Sequence, residues 1–377
     1  MLRRSVLSVG LLALSGCYTG LTQDDSTGAT DAASTGTSPQ TDGPPTSQSA
    51  GSSDMSAGTG TSGQASDPTA ATTDPTTDAQ TTAPLTTGFT TGDPGSTGPG
   101  DTGEPPPDPA LLLCERWKSD RAQLGEGDWS GSVDACDPGT LSQDGRDNAL
   151  RLVNLYRFIA GLPAVTEDPT RSSQAQACAL MMHANGQLSH SPPMSWKCWT
   201  GAGADAAGQS NISGTPGVLG VDLYMVDPGN DTTIGHRRWL LSNYLGPIGL
   251  GSTSVNSCLM VIGGNGNAGK AWLAWPPPGP VPYQALHVPT IGWSDVDKTG
   301  WTVQSDTIDL GAATVSVTVD GVDRPVATNA LGQNYGSSYA IRFVPQGWTV
   351  EPGKTYEVEL GNVAQPIAYA VQIVDCP

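Results

Sequence analysis

The chain has 377 residues, with 36 acidic against 17 basic side chains and a formal charge of −19. An acidic chain without a basic stripe argues against nucleic acid and against anionic lipid as electrostatic partners. From Leu111 to Pro377 about 265 residues remain beyond a Ser/Thr/Gly/Asp/Pro-rich stretch, enough for two modest domains.

In chain order, the first residues read as a targeting segment. Arg3 and Arg4 precede an apolar run, residues 6–14, that is too short to span a bilayer. Leu14-Ser15-Gly16-Cys17 follows, and this box resembles the lipobox of bacterial lipoproteins, whose cysteine sulfur takes a diacylglyceryl group and becomes the new N-terminus. The resemblance makes residues 1–17 a lipoprotein signal peptide and Cys17 the lipidated residue. It implies a membrane partner through that anchor, in the bacterial cell envelope facing away from the cytoplasm, at the outer membrane or cell surface. An ordinary signal peptide whose Cys17 joins a disulfide is the alternative. No other run approaches transmembrane length.

Residues 18–108 are almost entirely Ser, Thr, Gly, Asp, Pro, Ala and Gln, with acidic residues but no Lys or Arg. Such a segment cannot bury enough apolar area to offset its ordering entropy, so it is expected to be a disordered stalk. As a flexible coil its ends would lie on the order of 50 Å apart.

Six cysteines follow the stalk: Cys114, Cys136, Cys178, Cys198, Cys258 and Cys376. An even number in an exported chain favours disulfides, with fifteen pairings open. Proximity along the chain suggests Cys114–Cys136 and Cys178–Cys198, leaving Cys258–Cys376. None stands in a C-x-x-C spacing, which argues against a redox motif or zinc ribbon.

The first folded domain is expected over residues 111–278. Asp147 is the expected N-cap of a helix running to about Ala160, stopped by Gly161-Leu162-Pro163. Asp168 caps a second helix with Pro169 in its first turn, and Gly186 ends it. Shorter helices are expected near 217–225 and 234–243, then strands at 258–262 and 271–275 joined by a hairpin turn. That turn, residues 264–270, fits part of a P-loop pattern, but Ala271 replaces the magnesium-binding hydroxyl. Helices around a small sheet suggest an α/β/α sandwich. Past the proline run 276–280, alternation predicts strands at 314–319, 340–344, 356–360 and 368–374 without a helix signal. Short strands at this spacing over residues 279–377 point to a small all-β, immunoglobulin-like sandwich. The fold class is therefore α+β, preceded by the stalk. Tryptophans at 272, 275, 293, 301 and 348 are read as core and junction packing in preference to a sugar-binding platform.

The middle domain resembles the CAP superfamily, the cysteine-rich secretory, antigen 5 and pathogenesis-related (SCP-domain) proteins. The resemblance rests on Asn154-Leu155-Tyr156-Arg157-Phe158-Ile159-Ala160-Gly161-Leu162-Pro163, on the Ala- and Met-rich helix leading to Leu188-Ser189-His190, on Ser210-Asn211-Ile212, and on Gly235-His236-Arg237-Arg238-Trp239 with Pro247-Ile248-Gly249 beyond it. It implies a cleft lined by two histidines and two acidic residues, matched here by His190, His236 and Asp227. Ser210 stands where the second acidic residue is expected, a departure that removes both a hard ligand and a general base. His183 and His287 are expected to be structural.

Two imidazoles and a carboxylate form the ligand set of an open zinc site, with His190, His236 and Asp227 each about 2.0–2.2 Å from one metal. They equally form a polar set that orients a ligand by hydrogen bonds. The reading preferred is a non-enzymatic surface binding module that requires no cofactor and takes a small apolar ligand, an envelope glycan or a surface protein. The alternatives are a zinc-assisted envelope hydrolase acting on peptide or cell-wall substrates, and a structural envelope protein.

Overall fold

The computed structural model describes residues 108–377. The signal peptide, the lipidation site Cys17 and the stalk up to residue 107 lie outside the described residues. Asp108, assigned to the stalk, instead accepts from the Ala110 N–H as N-cap of helix α1 (Pro109–Arg121).

Helix α2 (Gln143–Ile159) begins a turn earlier than expected, at Ser142, and Asp147 lies inside it, accepting from Gln143. The apolar face starts only at Ala149 and Leu152, so the polar first turn carries no hydrophobic signal. Helix α3 (Pro169–Asn185) has its expected ends. Asp168 accepts from the Thr170 and Arg171 N–H groups, and Gly186 closes the helix in the left-handed conformation that glycine adopts most readily. Helix α4 (Gly201–Ala207), strand β1 (Ser210–Ser213), helices α5 (Gly217–Val226) and α6 (Gly235–Leu240), and strands β2 (Gly249–Ser252) and β3 (Ser257–Met260) follow.

The three strands form an antiparallel sheet in the order β1-β3-β2. Side chains alternate across it. Ile212, Cys258 and Met260 pack against Ala175, Cys178, Ala179 and Met182 of α3, together with α4. Leu250 and Leu259 face the other way into a core shared with α2 and α5. These layers make the expected α/β/α sandwich. Helix α3 lies so close to β2 that a Cβ on Gly251 would fall 2.1 Å from the Ala175 carbonyl carbon, and one on Gly249 2.5 Å from that of Arg171. Glycine at both positions is what permits this packing. The opening turn of α5 lacks a capping side chain of its own, and Glu126 supplies one by accepting from the Val218 and Leu219 N–H groups.

The cysteines pair as Cys114–Cys376, Cys136–Cys198 and Cys178–Cys258, none of them the pairing that chain proximity suggested. Proximity fails because the layers bring distant segments together: Cys178 on α3 faces Cys258 on β3, and α1 meets the end of the chain. Three disulfides mark a protein outside the reducing cytoplasm. Among the described residues no helix is long and apolar enough to cross a membrane.

The 264–270 segment is not a hairpin. Strand β4 (Leu273–Trp275) pairs with β6 (Trp301–Ser305), so this piece, expected within 111–278, belongs to the following sheet. Between them lie β5 (Gly279–Pro282), helix α7 (Tyr283–Leu286), a 3-10 turn at Pro289–Ile291 and helix α8 (Val296–Thr299), short helical turns in a region expected to have none. Then come β7 (Thr314–Val319), β8 (Val322–Asp323), β9 (Val326–Ala330), β10 (Tyr339–Pro345), β11 (Thr355–Gly361) and β12 (Ile367–Val374). They form a four-stranded sheet, β4-β6-β10-β9, and a five-stranded sheet, β5-β12-β11-β7-β8, with β5 parallel to β12.

The inner faces of both sheets share one core with α2 and α5 of the sandwich. Trp275 and Trp301 are fully buried there. Trp275 meets Tyr156 edge-on at 5.7 Å, and Trp301 packs on Phe343, Trp348 and Tyr356. Trp293 is the exception, with most of its surface in water. Asp222 on α5 accepts from both Arg121 terminal nitrogens, from Tyr156 and from Thr290, each at 2.7–2.8 Å, and so ties α1, α2 and the 3-10 turn to one buried carboxylate. The sandwich and the β-sheet unit are one compact body.

Candidate functional site

The site is built around the end of α5. Its C-cap is Asp227, in the left-handed conformation (φ 54°), which turns a carboxylate only 1% exposed back towards the start of α6. His236 donates its Nδ1–H to Asp227 Oδ1 at 2.8 Å. The second oxygen, Oδ2, accepts from the backbone N–H groups of His236 (3.0 Å) and Arg237 (3.3 Å). Asn230 Nδ2 lies 3.3–3.4 Å from both oxygens. Because a carboxylate only accepts, Nδ1 carries the proton of this bond, which leaves Nε2 as the ring position open to a ligand.

Neighbours fix the imidazole further. Tyr224 on α5 packs its ring against His236 at 5.2 Å, and Asn211 on β1 donates to the His236 carbonyl. The Tyr224 hydroxyl donates to the Asn211 carbonyl, closing a loop of contacts from sheet to helix to histidine. Arg237, the next residue, is fully buried and donates to the carbonyls of Met225, Val226 and Gly300 and to Thr299 Oγ1. Burial pushes its guanidinium down to about 10, with Asp227 opposing the fall, so it stays charged at neutral pH.

His190 stands on the loop after α3 and is anchored differently. Its Nδ1–H donates to the Ala207 carbonyl at 2.9 Å, at the open C-terminal end of α4. Its pKa is lowered, chiefly through desolvation, with the Ala207 hydrogen bond opposing the fall and charge on His236 adding to it in smaller part. With Nδ1 committed, His190 also has Nε2 as its open ring position.

Ser210 does not join them. It is buried, and its hydroxyl donates to the Ala206 carbonyl at 2.7 Å, one residue before the carbonyl that holds His190. The three-ligand zinc set of His190, His236 and Asp227 does not assemble either. Asp227 has both oxygens engaged, and among the described residues no group of three His, Cys, Asp or Glu side chains is placed to hold a metal. The six folded cysteines are all in disulfides. His183 lies against Trp129, and His287 stacks on Tyr283 with Nε2 3.3 Å from Asp297, both apart from the cleft.

Sequence reasoning missed Asn211, Tyr224 and Asn230, which orient the histidine and its carboxylate. Asn211 falls within a stretch quoted for the family resemblance, but nothing in its spacing shows a contact with residue 236.

The family model described as Cysteine-rich secretory protein family (CAP) matches residues 150–258, from α2 to β3. No curated protein and no solved structure matches the chain.

Proposed function

We propose that the protein is an envelope-displayed binding module, anchored through a lipidated Cys17 and held away from the membrane by the stalk of residues 18–108. Its CAP domain takes a hydroxyl- or amide-rich ligand, of which an envelope glycan is the best fit, between His190 and His236. The β-sheet unit behind it is an immunoglobulin-like module. The observation that carries this reading is the complete engagement of Asp227. A carboxylate that accepts from one imidazole and two backbone amides is an orienting group, and with Ser210 buried no second carboxylate stands beside the two imidazoles as a hard third metal ligand. What the cleft offers is two Nε2 positions suited to hydrogen-bonding a ligand.

The test is retention of soluble envelope glycan fragments by the full chain, compared with a His190→Ala/His236→Ala variant. Loss of at least about tenfold in affinity is expected, the factor that one lost hydrogen bond of 1.4 kcal/mol gives. Equal retention by both proteins would remove the cleft from the account. Near-stoichiometric zinc in protein purified without chelator would favour the hydrolase instead.

A further inference from the structure

His236 is preceded by an anomaly. Ile234, a β-branched residue, sits in the left-handed region at φ 44°, ψ 42°, immediately before α6. A branched Cβ is strongly disfavoured there, and such strain persists only where surrounding structure enforces it. The enforcing structure comes from the β-sheet unit. The Ile234 side chain is wholly buried and forms a separate small cluster with Leu331 and Ala340, at the facing ends of β9 and β10.

The same hairpin grips the turn on both sides of Ile234. The Gly332 N–H donates to the Thr232 carbonyl at 2.9 Å. Arg342 on β10 reaches the Asp231 carbonyl at 3.1 Å and its carboxylate at 3.2 Å. From the other direction Arg238 on α6 donates to the carbonyls of Gly332 and Ser337 and to the Ser337 hydroxyl. Tyr335 closes over Gly235 so tightly that a Cβ there would lie 3.1 Å from its ring. A single residue, Gly235, separates Ile234 from His236, and α6 starts at that glycine.

We propose that the β9–β10 hairpin is a positioning element for His236: by seating Ile234 against Leu331 and Ala340 it sets the start of α6 and so holds the imidazole on Asp227. The β-sheet unit is then part of the ligand site and not a spacer behind it. This rests on the reading of the His190–His236 cleft as the ligand site, but its test needs no ligand. His190, fixed by α4 and out of the hairpin's reach, serves as an internal control.

The experiment follows the Nδ1 protons of both histidines by nuclear magnetic resonance in the full chain labelled with 15N-histidine. Leu331→Ala, which hollows the Ile234 seat, is expected to accelerate solvent exchange of the His236 Nδ1 proton by at least about tenfold, leaving His190 unchanged. Leu331→Met, which keeps the volume, is expected to restore the wild-type rate. Arg342→Gln, which releases Asp231 without opening the core, is expected to give a smaller acceleration confined to His236, and it decides the matter if Leu331→Ala does not fold. Unchanged exchange at His236 in a folded variant, or equal acceleration at both rings, overturns the proposal. If His236 responds as expected but glycan retention never depended on it, the positioning role stands and the binding reading falls.

Discussion

The two histidines of the proposed ligand site are held to different standards. On one side His236 has its ring, its backbone N–H and its following residue tied to a buried carboxylate, a tyrosine against its face, and a strained turn clamped by a second structural unit. On the other side His190 hangs from a loop by one hydrogen bond to a helix-end carbonyl, at an exposed position. His236 is the rigid wall and His190 the adaptable one of the proposed ligand site.

The comparison can be broken at either wall. The largest effect is expected from Arg237→Ala, which strips the donor from three buried carbonyls and one hydroxyl and leaves a cavity where the two units join. A loss of about 4 kcal/mol in urea unfolding is expected, since each stranded acceptor costs about 1–3 kcal/mol. A loss below about 1 kcal/mol would mean that the junction does not stabilise the rigid wall. Next, Asp227→Ala removes the acceptor for one ring N–H and two backbone N–H groups and is expected to cost about 2 kcal/mol. His190→Ala loses a single hydrogen bond at an exposed position and is expected to cost about 0.5 kcal/mol. Similar losses in these two variants, measured by the same unfolding curves, would erase the asymmetry.

The sequence revealed what is local and hid what is tertiary. Helix α3 is legible because Asp168, Pro169 and Gly186 mark its ends chemically, and β7, β10, β11 and β12 because their side chains alternate between core and water. Strand β6 escaped notice because Trp301–Ser305 is buried on both faces and does not alternate, and β9 because most of Val326–Ala330 is exposed. The disulfides were hidden for the same reason: Cys114 and Cys376 lie 262 positions apart, and only the shared core brings α1 to the chain's end.

At the site, family resemblance picked out His190, His236 and Asp227 but not what each does. Asp227 looks like a ligand until its partners are seen, two of which are backbone amides that carry no sequence signal. Ser210 looks like a degraded catalytic position, whereas the fold uses its hydroxyl to close the end of α4. The role of Ile234 rests on residues about a hundred positions away, in a unit outside the matched segment.

The nearness of the two imidazoles underlies all of this, and the titration of His190 tests it most directly. Desolvation and charge on His236 both disfavour the imidazolium, so His190 is expected to take up its proton below the ordinary 6.5 and to be neutral at pH 7. In a His236→Gln variant the repulsion is gone while desolvation remains, so the midpoint is expected to move up towards 6.5. A midpoint identical in the two proteins would contradict the account, because it would mean that the two rings do not share a cleft.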